Sequence, residues 1–290
     1  MEKRRLLNLG CGARYHHEWV NMDFYSHSKD VITHNLLKGI PFPDNEFDAV
    51  YHSHLLEHFP KNRAEPFTRE CLRVLRPGGI IRIAVPDLEG LAKLYLEQLD
   101  KALHGDNVAE HKYDWILLEL YDQTVRNHSG GEMAEYLKQQ YVPNEEFILE
   151  RCGNVARQIR TAFLEGKSSS HAGVGQSRAI TETIASFLHA FSWRGLLARI
   201  CLGKEYDSLL VGRFRLSGEV HQWMYDRYSL ARLLVKCGFA RPQVKTAFES
   251  DIARWKVYGL DVKDGVVHAP KSLFMEAVKP EPKAAPQTLG

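Results

Sequence analysis

Near its start the chain reads Leu6-Leu7-Asn8-Leu9-Gly10-Cys11-Gly12, four residues that suit a buried strand running straight into two glycines one residue apart. A strand ends this way where something bulky and polar must lie against its backbone, because glycine accepts positive φ and leaves no Cβ in the way. In an open α/β sheet, the carboxyl end of the first strand is where nucleotide-like ligands sit. The pair lacks the third glycine of the dinucleotide fingerprint, so a plain tight turn is the ordinary alternative. The rest of the chain has to decide.

Over the first hundred residues strand and helix signals alternate. Residues 19–23, 30–35, 47–51 and 80–85 are predicted as the next four strands, the fourth strand introduced by the turn cluster Pro41-Phe42-Pro43-Asp44-Asn45. Residues 63–75 carry Phe67, Cys71, Leu72 and Leu75 at helical spacing and are expected to stop at the turn Arg76-Pro77-Gly78-Gly79. Such alternation argues a mostly parallel sheet with helices on its faces. Helical spacing then takes over at 88–103, 113–125, 132–141, 144–164 and 184–202, with a mobile loop expected at 166–177. Residues 228–237 form a helix closed by Gly238, and 243–248 and 272–278 are strands. The pattern is a doubly wound α/β domain in two parts, 1–103 and 219–279, around a helical insertion at 104–218 that would form a lid, with a disordered tail at 280–290.

Composition narrows the class. A formal charge of +2 over 290 residues gives no general affinity for nucleic acid. Five cysteines, scattered and without a Cys-x-x-Cys pair, fit neither a zinc site nor a disulfide framework and suit a reducing cytoplasm. Lys3-Arg4-Arg5 imitates the start of a signal peptide, but Asn8 and the glycines break the apolar run that follows. No stretch approaches the roughly 20 apolar residues that span a membrane.

With LNLGCG, the acid ending WVNMD, the block IPFPDNEFDAVYHSHLLEHF, RVLRPGGIIRIAVPD, and the late YSLARLLVKCGF and SLFMEAVKP, the chain resembles the class I S-adenosylmethionine-dependent methyltransferases, and more narrowly the type 11 methyltransferase domain. The resemblance implies a Rossmann-like sheet of seven strands with the last antiparallel, and S-adenosylmethionine as cofactor. It implies that Gly10, Cys11 and Gly12 face the methionine part of the cofactor, Asp23 the ribose hydroxyls, Asn35 and Leu36 the adenine, and Ser53 and His54 the methionine end. Two departures stand out. The stretch from Gly12 to Asp23 is short, so the usual first helix is expected to be abbreviated, and Asn8 and Asn35 stand where the family often carries acids.

His54-Leu55-Leu56-Glu57-His58 also matches the His-x-x-Glu-His pattern of inverted zinc peptidases. In a chain with 14 histidines such a pattern arises easily by chance, and a zinc hydrolase is the weaker reading. No metal-ligand cluster is otherwise visible. Within the resemblance, His58 is a candidate base for an acceptor hydroxyl and Glu57 its orienting partner, the alternative being a histidine that only packs a helix. Asp87, Arg126, His128, His221 and Tyr225 are candidate acceptor-binding residues, although Asp87 also suits a helix cap. Trp223 reads either as a stacking surface for a sugar or as aromatic core.

The insertion must carry the acceptor's identity, since the sheet holds the cofactor. Residues 151–215 hold ten Lys or Arg against four acids, which favours an anionic small-molecule or glycan acceptor over a neutral one. The stretch 184–202 could lie on a membrane surface, a lid or core helix being favoured. The expected activity is O-methylation of a sugar-containing or other small polar acceptor in a polysaccharide or secondary-metabolite pathway. The competing class is a non-catalytic scaffold that keeps the cofactor fold.

Overall fold

The computed structural model describes residues 4–26, 28–166 and 193–282. The expected loop beyond Gly166, most of the expected helix at 184–202 and the end of the tail lie outside these residues.

β1 (Leu6–Leu9) is buried along its whole length, as a central parallel strand covered on both faces must be. It pairs in parallel with β2 (Val20–Asp23), Leu7 opposite Val20, and with β4 (Phe47–Ser53), Leu7 opposite Val50. β3 (Val31–Thr33) extends the sheet beyond β2, and β5 (Leu75–Pro86) runs parallel to β4 on the other side. β9 (Ser272–Val278) lies antiparallel between β5 and β6 (Ala240–Lys245). The order β3-β2-β1-β4-β5-β9-β6 is the seven-stranded sheet expected, its last strand antiparallel.

One face is covered by α1 (Lys61–Val74) and α8 (Arg227–Cys237), whose Phe67, Cys71, Leu230 and Leu234 pack on Leu7, Leu9, Val50, Ile81 and Ile83. The opposite face has no helix between β1 and β2. A late segment covers it instead: Ile252, Trp255, Tyr258 and Leu260, around the short helix α9 (Trp255–Tyr258), close on Leu6, Trp19, Ala49 and Tyr51. A two-stranded hairpin, β7 (Val262–Lys263) with β8 (Val266–Val267), follows. The helices α2 (Leu88–Leu103), α3 (Asn107–Val125), α4 (Gly131–Leu137) and α5 (Glu145–Leu164) come between, followed by α6 (Trp193–Leu202) and α7 (Tyr206–Arg215). Trp115, Leu137, Val142, Ile148 and Ala156 give α3 to α5 a small core of their own.

Three expectations are corrected. Arg76-Pro77-Gly78-Gly79 is not a turn ahead of the fifth strand but part of β5, where the register with β4 shifts as in a bulge. The helix at 144–164 is broken at Gly153, whose φ of 61° and ψ of −139° only glycine adopts easily. The segment at 132–141 is helical only to Leu137. No helix of the described residues is long and apolar enough to cross a membrane, and all five cysteines are free thiols.

Candidate active site

The predicted cofactor residues lie at or just beyond the carboxyl ends of β1, β2, β3 and β4. Gly10 and Gly12 have φ of 61° and 52°, and the Gly12 N–H donates to Asp23 Oδ2 at 2.7 Å. The other Asp23 oxygen has only a long contact, 3.4 Å, to the Tyr25 N–H. A Cβ at Gly12 would meet nothing within 4 Å. A glycine turn facing open space beside a carboxylate with acceptor capacity to spare is what a ribose-bearing sulfonium cofactor requires, so these residues fit it. The turn is held without a helix: buried Asn8 donates to Arg14 O and to Asn21 Oδ1, while Asn21 donates to the carbonyls of His16 and Trp19. Cys11 is buried, and burial with the nearby Asp23 charge pushes its thiol up to about 12. Asn35 caps a short 3-10 turn by accepting the Leu37 N–H, and the Leu36 side chain enters the core, leaving that residue only its backbone for a ligand.

Beyond β4 the chain turns sharply at His54, whose φ is 51°. Its Nε2 lies 2.7 Å from Ser272 Oγ and its Nδ1 lies 3.2 Å from Glu57 Oε1. Glu57 is wholly buried, and its backbone carbonyl accepts the N–H groups of Gln222 (2.7 Å) and Trp223 (3.2 Å). That clamp brings His221 beside His58, their rings edge to face at 4.7 Å. Burial alone would raise the Glu57 carboxyl, but His54, His58 and His221 around it hold it down at about 2. Burial lowers His221 to about 3 and His52, beneath Glu57, to about 4, so both rings are neutral. Tyr225 belongs to the core, its phenol pushed up by burial and by the Glu57 charge.

The other acceptor candidates are placed differently. Asp87 is the N-cap of α2, accepting the Glu89 N–H, as its alternative reading held. Arg126 is committed to Asp122 (2.6 Å) and Glu219 (3.2 Å), which fixes the 126–131 loop against the chain leading to His221. His128 is exposed on that loop. Trp223 is not core: it is 39% exposed, with Lys61 Nζ 4.0 Å from its ring centroid. The basic excess of the insertion is partly structural. Arg151 pairs with Glu119, Arg160 with Glu145, and Arg215 donates to carbonyls of α3.

Beyond the His-x-x-Glu-His pattern the sequence shows no metal-ligand cluster, yet the fold adds His221 to Glu57 and His58. Donor atoms of Glu57, His58 and His221 lie within 4.8 Å of one another, and a second group, His16, His17 and Glu18, lies in the loop before β2. Ser272, 218 residues from His54, was invisible as its partner because nothing local marks so distant a pairing. A cavity of about 350 Å³ lies away from this site, between Gly78, Arg241 and Glu281.

Comparison with known proteins agrees with this geometry. Residues 23–83 match the type 11 family model, described as Methyltransferase domain. A stretch of 56 residues is 39% identical to a "Probable S-adenosylmethionine-dependent methyltransferase" of Mycolicibacterium smegmatis, covering 19% of this chain and 21% of that one. Another of 108 residues is 30% identical to "Probable methyltransferase ltbC" of Aspergillus luteorubrus, covering 34% and 38%. The chain thus spans well under half the length of these relatives. A solved S-adenosylmethionine-dependent methyltransferase from Archaeoglobus fulgidus aligns over 95% of this chain and 86% of its own at 12% identity, with a TM-score of 0.36 that carries no weight. In sheet order and in this matched segment the chain is similar to the class I S-adenosylmethionine-dependent methyltransferases. Within that class the chain carries the type 11 segment, and the cofactor it implies is S-adenosylmethionine.

Proposed function

We propose that this chain methylates a hydroxyl of a small polar acceptor, sugar-containing in the favoured reading. The observation that carries the proposal is the contact between the Gly12 N–H and Asp23, made at the ends of adjacent parallel strands. Gly10, Cys11 and Gly12 would hold the methionine part of S-adenosylmethionine, Asp23 the ribose, and Asn35 with the Leu36 backbone the adenine. The bound cofactor supplies an electrophilic methyl group. What the protein adds is alignment of nucleophile and methyl, the main requirement of an in-line displacement, and a place for the hydroxyl proton. Half-buried His58 would supply that place, with Glu57 orienting its ring. Exposed Trp223 with its lysine suits stacking on a sugar ring.

Calorimetric titration with S-adenosylmethionine and S-adenosylhomocysteine tests the cofactor site. We expect micromolar binding that weakens at least tenfold in Asp23→Ala, as loss of charge-assisted hydrogen bonds would give. An acceptor screen starting with nucleotide sugars, read by S-adenosylhomocysteine release, then tests the chemistry. No binding by the folded protein would overturn the methyltransferase reading and bring the scaffold reading forward.

A further inference from the structure

Glu57 is a buried carboxylate set among three histidines. It is wholly buried, and among the described residues neither of its carboxylate oxygens has a hydrogen-bond partner. His58 Nδ1 is likewise buried without one. His54 Nδ1 stands 3.2 Å from Glu57 Oε1 while its Nε2 is held by Ser272. A carboxylate so buried is a strong draw for a further opposite charge.

The geometry points to a divalent-cation site made by Glu57, His58 and His221, suited to a first-row transition ion of the zinc type. Two imidazoles and one carboxylate are the donor set such ions prefer, and three protein ligands leave a position open. Calcium and magnesium would ask for an oxygen shell that this cluster lacks. The donor atoms lie within 4.8 Å of one another; around zinc they would stand about 3.4 Å apart, so small side-chain rotations must draw them in. The supporting shell is built. The Glu57 carbonyl clamps the 222–223 backbone, the His221 N–H donates to Gln123 O, and the Gln123 amide reaches His221 Nε2 at 3.3 Å. With that amide turned so that its oxygen accepts the Nε2–H, Nδ1 keeps its lone pair for the ion. Cation binding stands apart from methyl transfer, but if both hold, the open position faces the acceptor. The hydroxyl would then be acidified by the ion, and His58 would be a ligand in place of a base.

The test is to strip the full-length protein with a chelator and titrate Zn²⁺ by calorimetry and Co²⁺ by visible absorption. The site predicts one equivalent whose affinity falls about a hundredfold or more in His221→Gln and in Glu57→Gln, and which persists in His16→Ala. Saturating Zn²⁺ should also raise the wild-type melting temperature, a readout that needs no variant. Absence of saturable binding and of any thermal shift would overturn the site. So would binding that survives His221→Gln and disappears in His16→Ala, which would assign the ion to the surface group. S-adenosylmethionine titration of the same preparation separates the two readings: cofactor binding without zinc binding removes the cation site alone.

Discussion

At the scale of single residues, Gly10 and Gly12 answer to different demands. A Cβ on Gly10 would come within 3.1 Å of three Leu55 side-chain atoms, so packing alone accounts for a glycine there. A Cβ on Gly12 would meet nothing, so packing does not. Gly12→Ala should therefore lose only the backbone strain of its left-handed φ, about 1–2 kcal/mol in urea denaturation. Affinity for S-adenosylmethionine should fall more than tenfold, because the new methyl group enters the cradle beside Asp23. Unchanged affinity would mean that the glycines only make a turn. The pair itself was legible in the sequence, as was Asp23. The reason for Asn8 was not: its partners Arg14 and Asn21 become neighbours only once β1 and β2 are paired. Nor could the sequence bring His221 to Glu57, since that contact depends on the 222–223 backbone bonding to the Glu57 carbonyl.

At the scale of elements, the strands were legible because buried parallel strands are runs of apolar residues, and the short span from Gly12 to Asp23 pointed to an abbreviated first helix, where the structure has none. What replaces that helix was not legible. The covering segment has a helix of only four residues and no periodicity, and its anchor is a charge inside a strand. Arg82, fully buried in β5, reaches Asp261 and Glu276 (each 2.8 Å) and the carbonyls of Thr246 and Glu249, with Trp255 4.6 Å from its guanidinium. Tyr51 closes the group by donating to Asp261 at 2.6 Å. Arg82→Met keeps much of the bulk but strands two buried carboxylates, and should cost about 3–5 kcal/mol of unfolding free energy. A loss below about 1 kcal/mol would show that the aromatic cluster holds the segment unaided.

At the scale of the whole molecule, the helical region meets the sheet through another buried acid. Glu119 of α3 accepts from Trp115 Nε1, pairs with Arg151 of α5 at 2.8 Å and with Lys271 at 3.3 Å, and lies 3.6 Å from the Cys152 thiol. Lys271 immediately precedes Ser272, the residue that holds His54, so this junction abuts the candidate site. Burial would raise the Glu119 carboxyl, but Lys271, Arg151 and the indole N–H outweigh it and hold the group at about 2, below the ordinary 4.5. The folded protein therefore takes up this proton less readily than the unfolded chain. Its contribution to stability is fully present above about pH 4.5 and is lost as pH falls toward about 2. Other carboxylates titrate in the same window, so the decisive quantity is the difference in unfolding free energy between wild type and Glu119→Gln. That difference should be largest near neutrality and shrink steadily through the acid window in urea denaturation at a series of pH values. A difference that stays constant would show that Glu119 carries no charge at the junction, and that the apolar contacts of the helices alone dock them on the sheet.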